Sequence, residues 1–208
     1  MLFTNIPALP SLAVSNIYLH AAWALLLVTG VVWLLRRQSH KVQMLCAAVL
    51  VAWVALPAEL SPAYWLGLAF QAPSLMASLL CLAALVAHWR QPLAARTQPR
   101  FAVHAAAFSA MALGWVLLFD LIAWLPVSVY AWGFSAAAVA VAALVALLPW
   151  VLGYGSAWLS VPLLAVLLFV LTRLPTGNLW DALLDPWLWF VLHLGYLLKA
   201  KVLLRGPE

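Results

Sequence analysis

Asp120 is a carboxylate set inside a long apolar run, Met111 to Pro126 (MALGWVLLFDLIAWLP). An ionised group in hydrocarbon is costly unless it meets a partner, a wet cavity or a ligand, so this position asks for one of the three. Its chemistry would be ion pairing, proton transfer or cation binding. Arg173 is the cation available on the same side of the chain, and an Asp120 to Arg173 ion pair is the leading expectation. Asn16, Tyr18, His20, Glu59 and Gln71 also fall in the outer halves of apolar runs. With Asp120 and Arg173 they would make an outward-facing polar pocket for a small molecule, an ion, a quinone or a proton path. Pro73 cannot donate to the carbonyl of Ala69, which frees that carbonyl to face a cavity.

His20 and His193 stand at comparable depth in the first and last apolar runs, and two facing imidazoles could ligate a b-type haem iron. The bland alternative is a pair of hydrogen-bonded structural histidines. His40, His88 and His104 fall at the inner ends of their runs. Met44, Cys46, Met76 and Cys81 are soft enough for Cu(I), and equally ordinary as buried apolar residues. The two cysteines imply no disulfide framework. Gly153, Tyr154, Gly155 and Ser156 have the order G-Y-G-S and not the G-x-S-G of intramembrane serine proteases, so they are read as a turn. No H-E-x-x-H, Walker loop or G-x-G-x-x-G occurs. No catalytic set and no metal set is expected.

The elements that must position these groups are membrane helices. The 208 residues are 68% hydrophobic and only 7% charged, where soluble domains carry roughly 25% charged residues. Apolar runs separated by charge, Pro or Gly clusters predict an all-α polytopic bundle in one transmembrane domain. Its seven spans are expected at about 12–35, 43–60, 62–88, 101–125, 130–152, 156–172 and 186–203. Ser61 with Pro62, and Asp185 with Pro186, read as N-cap and first-turn pairs opening two of them. The segment 173–185 contains a short amphipathic piece, with Trp180, Leu183 and Leu184 opposite Asp181, expected as an interfacial half-helix. The first twenty residues lack a basic region and a small-residue cleavage site, and are not read as a cleaved signal peptide. Trp33, Trp65, Trp89, Trp124, Trp150, Trp180 and Trp187 fall near span ends, as an aromatic belt would place them.

Orientation follows from the basic residues. With the N-terminus outside, nine of the ten Lys and Arg face inward and only Arg173 faces outward. The C-terminus is then inside, and Glu59, Asp120, Asp181 and Asp185 gather on the outer side. The basic residues lie in short connections and make no face for nucleic acid. The expected partners are the lipid bilayer and a membrane protein or a second copy. The functional expectation is a bacterial inner-membrane accessory, assembly or structural subunit with a periplasmic N-terminus and no catalysis of its own. Two alternatives stand beside it. One is a small-molecule or ion transporter built around Asp120 with Glu59, Gln71, Arg173 and His20; the other is a b-haem or quinone-interacting subunit using His20 and His193.

Overall fold

The computed structural model describes residues 9–90, 100–154, 156 and 158–204, with side chains at all of these except 100–102 and 200–204. The N-terminal leader question and the basic residues Arg96 and Arg205 therefore lie outside the described residues, as does the acidic Glu208. The fold is all-α, with no strand among the described residues. Its helices are α1 (Leu12–Leu34), α2 (His40–Val54), α3 (Pro62–Phe70), α4 (Leu75–Trp89), α5 (Arg100–Leu121), α6 (Val129–Trp132), α7 (Ala136–Val151), α8 (Ser160–Thr172), α9 (Leu179–Leu183) and α10 (Pro186–Leu204). A single 3-10 turn, Ala58–Leu60, precedes α3.

Serine sets most of the starts. Ser11, Ser39, Ser61, Ser74, Ser128 and Ser135 each accept a backbone N–H of the first turn that follows. These bonds satisfy donors that a helix leaves open at its N-terminus. Left-handed residues set two of the ends. Ala123 (φ 56°) turns the chain out of α5, and Arg173 (φ 58°) turns it out of α8. Such conformations cost a non-glycine residue about 1–3 kcal/mol and persist only where surroundings hold them.

Helices occupy all seven stretches expected to cross a membrane, with instructive differences. By length and composition, α1 and the part Val103–Leu121 of α5 can each cross a membrane alone. The helices α2, α4, α7 and α8 have 15, 15, 16 and 13 residues. At 1.5 Å per residue they reach roughly 20–24 Å, short of a hydrocarbon core about 30 Å thick. The third stretch is not one helix: it breaks at 71–74 into α3 and α4. Pro73 lacks the N–H that would continue the ladder, and Gln71 takes φ 63°, ψ −164°. The fourth stretch stops at Leu121, earlier than expected, and the fifth opens with the separate single turn α6.

α1 packs on α2, α3 and α4; α4 packs on α8 and α9; α7 packs on α8; and α5 pairs with α10 and α6. The main core joins Leu75 of α4, Ala138 of α7, Ala165, Val166 and Phe169 of α8, and Leu179, Trp180 and Ala182 of α9. Within α9, Leu179, Trp180 and Ala182 are buried inside the bundle and not laid on its surface. The helix can sit there because Gly133 has no side chain. A Cβ at 133 would collide with Asn178 Oδ1 and the Trp180 ring. The outer faces of the helices are apolar, with Leu121, Val151, Trp124 and Leu171 all strongly exposed. Surfaces of this kind associate in water and are stable against lipid or another apolar partner.

Candidate functional site

Three carboxylates face one cavity of about 580 Å³ between α5, α6, α9 and α10. Asp120, Asp181 and Asp185 line it with Ser128 and Tyr130, and among the described residues no Lys or Arg contributes to the lining. The apolar walls are Leu117, Leu118, Leu121 and Leu184, with Trp189 at one side. Gly114 lets Trp189 approach, since any Cβ there would strike its indole. The indole N–H is spent on the Met111 carbonyl at 3.1 Å, which fixes the ring in place.

Each carboxylate is held by a different device. Asp120, on the last turn of α5, accepts the Tyr130 backbone N–H at 2.7 Å and the Ser128 hydroxyl at 3.3 Å, both on Oδ2. It therefore ties the end of α5 to the start of α6. Asp181, in α9, accepts the Tyr130 phenol at 2.8 Å and the Thr176 hydroxyl, again both on Oδ2. Among the described residues, Oδ1 of Asp120 and Oδ1 of Asp181 receive no donor. Neither oxygen is a buried atom without a partner. Asp185 is buried and has both oxygens occupied, Oδ1 by the Leu188 N–H at 2.7 Å and Oδ2 by the Ser74 N–H at 2.8 Å. One carboxylate thus caps the N-termini of α10 and α4 together, where both macrodipoles favour a negative charge.

Tyr130 links the first two carboxylates, through its backbone to Asp120 and through its hydroxyl to Asp181. Asn178 Nδ2 and Trp180 Nε1 fix its segment by donating to the Tyr130 and Val129 carbonyls at 2.9 and 2.8 Å.

The cavity also abuts the helix break, through the bond from Ser74 to Asp185. Two carbonyls of the break itself, those of Pro73 and Gln71, are taken by side-chain donors. Tyr18 donates its hydroxyl to the Pro73 carbonyl at 2.6 Å, and Trp23 donates its indole N–H to the Gln71 carbonyl at 3.0 Å.

The other expected site residues lie elsewhere. No ion pair joins Asp120 and Arg173: the Arg173 guanidinium lies over the Phe169 ring at 5.3 Å. Glu59 and Gln71 are exposed and neither lines the cavity. His20 donates from Nδ1 to the Asn16 carbonyl of its own helix at 2.9 Å. His193 donates from Nδ1 to the Trp189 carbonyl at 2.8 Å, and its Nε2 accepts the Trp115 indole N–H at 3.2 Å. Both ring nitrogens of His193 are therefore engaged within the protein, and at His20 only Nδ1 is. Cys46 and Cys81 are free thiols, and no group of three His, Cys, Asp or Glu suited to a metal occurs among the described residues. Ser156 accepts the Leu159 N–H at 3.3 Å, which makes it a turn residue.

Of the cavity carboxylates, Asp120 is the one that sequence reasoning placed in a pocket. Asp185 was legible only as a cap and Asp181 only as the polar side of a surface helix. The signal that could have found them is their shared outer position with Asp120. Comparison with models of known protein families, with curated proteins and with solved structures finds no match.

Proposed function

We propose that the chain is a bacterial inner-membrane protein that crosses the bilayer seven times and binds and carries a small molecule from the outer side. The crossings are α1, α2, the broken pair α3 and α4, α5, α7, α8 and α10, with the N-terminus periplasmic and the C-terminus inside. The observation that carries the ligand is the cavity of about 580 Å³ lined by Asp120, Asp181 and Asp185. That volume lies within the 300–1,000 Å³ or so typical of small-molecule sites. Broken helices beside a binding site recur in membrane carriers, because interrupted backbone is tolerated where it is packed by protein or lines a cavity. The one-sided distribution of Lys and Arg supports the orientation.

A cysteine-labelling experiment tests the topology. With Cys46 and Cys81 replaced by Ala, Gln38→Cys should react with an impermeant maleimide only after the inner face is opened. Glu59→Cys should react in intact cells. Labelling of both from one side would overturn the seven crossings. For the cavity, Leu118→Trp should fill it and abolish uptake or binding of the ligand while leaving the fold intact.

The accessory-subunit function has one observation in its favour. Over Val103–Leu121 of α5, only 6% of the apolar window is buried within the chain, which leaves a whole helix face for a partner or a second copy. It predicts a stable stoichiometric partner on purification in mild detergent. A monodisperse monomer that binds its ligand alone would exclude it.

A further inference from the structure

We infer that the cavity takes a primary or secondary organic ammonium ion with a short apolar body, received by Oδ1 of Asp120 and Oδ1 of Asp181. The inference rests on the carrier function proposed above and names its ligand class. Three carboxylates face this space and, among the described residues, no cation lines it, so an anionic ligand is repelled and a neutral one leaves the charge uncompensated. Asp185 does not take part in recognition, because both of its oxygens are filled by backbone N–H groups. Asp120 and Asp181 each hold their internal bonds on Oδ2, and Oδ1 of each receives no donor from the described residues.

The two receptors come from separate elements, α5 and α9, and one residue aligns both. The Tyr130 backbone holds Asp120 and its phenol holds Asp181. A bare divalent metal needs a compact ligand set, and no such group of three occurs among the described residues. A quaternary ammonium has no N–H to offer and usually sits in a cage of several aromatic rings. Of the cavity residues only Tyr130 and Trp189 are aromatic, and the Tyr130 hydroxyl is committed to Asp181. An N–H bearing cation satisfies the open oxygens directly, and Leu117, Leu118, Leu121 and Trp189 supply the wall for its carbon skeleton.

The test uses the full chain in nanodiscs and three probes of similar shape: phenethylammonium, 2-phenylethanol and 3-phenylpropanoate. Binding is read by calorimetry and by quenching of tryptophan fluorescence. Phenethylammonium should bind, the alcohol should bind about 10- to 100-fold more weakly, and the carboxylate should not compete. Asp120→Asn and Asp181→Asn should each weaken the ammonium by a similar factor while melting as folded protein, and Tyr130→Phe should cause a smaller loss. Equal binding of alcohol and ammonium, both abolished by Leu118→Trp, would leave the cavity standing and overturn the ammonium assignment. Binding of the ammonium unchanged in Leu118→Trp would overturn the cavity as the site and the assignment with it. Absence of binding by phenethylammonium would overturn the assignment, as would Asn variants that bind like the parent.

Discussion

Asp185→Asn should destabilise the fold out of proportion to its size. The carboxylate is about 9% exposed and accepts two backbone N–H groups, from Ser74 at 2.8 Å and from Leu188 at 2.7 Å. An asparagine can keep one acceptor, and its amide N–H₂ then meets the other N–H donor to donor. The loss is one charge-assisted bond, about 1.5–3 kcal/mol, together with one buried N–H left without an acceptor, about 1–3 kcal/mol. Removing the charge from two helix N-termini adds some tenths of a kcal/mol at each. These contributions overlap, and a total of about 3–5 kcal/mol is expected. For chains of this length, about 2–4 °C is lost per kcal/mol, so the melting temperature should fall by about 6–20 °C. Thermal unfolding of purified protein in detergent, followed by tryptophan emission, measures it. Asp181→Asn is the matched control: its donors are the hydroxyls of Tyr130 and Thr176, which can turn to water, and its loss should be well under half as large. If Asp185→Asn melts within about 2 °C of the parent, or no lower than Asp181→Asn, then the shared cap does not hold α10 to α4 and the accounting is wrong.

The same melting assay checks five further expectations. Gly133→Ala should cost about 1–3 kcal/mol, because the added methyl meets Asn178 and Trp180 and must push α9 outward. Gly30→Ala has no heavy atom within 4 Å of its new carbon and lies inside α1, so it should gain about 0.5–1 kcal/mol. Gln71→Gly should stabilise by about 1 kcal/mol or more by relieving φ 63°, whereas Trp23→Phe should lose about 1 kcal/mol with its bond to the Gln71 carbonyl. Gln43→Leu should cost about 2–4 kcal/mol. The buried Gln43 amide donates to the Leu35 and Gln38 carbonyls at 3.0 and 3.1 Å, and its oxygen pairs with His88 at 2.8 Å.

Helix positions were legible because they depend on local information: apolar runs, serine caps and prolines. Ser61 with Pro62 and Asp185 with Pro186 open helices as their residue types demand. Where helices would stop was harder to see. Pro73 announces a break, but the break takes its shape from Gln71 in a positive-φ conformation held by Trp23, 48 residues away. The partner of Asp120 was missed for a related reason. Sequence displays charges, and Arg173 was the cation in view. The real partners are a backbone N–H and a hydroxyl only ten and eight residues on, presented because the chain folds back after Leu121. Backbone donors leave no mark in composition. The placement of α9 was likewise hidden, since a five-residue piece with one polar residue suits a membrane surface equally well. The missing side chain at Gly133 decides it.

The shared cap at Asp185 also sets an order of assembly. The chain joining Ser74 to its acceptor is 111 residues long, so α4 is made well before the carboxylate that caps it. Until α10 is in place, the Ser74 N–H at the start of α4 has only water to accept it. The cavity has no earlier form either, because its walls run from Gly114 to Trp189 and close only when α10 folds against α5. A nascent chain halted before residue 185 would therefore have its first helices packed and no ligand site, so binding would mark completion of the fold.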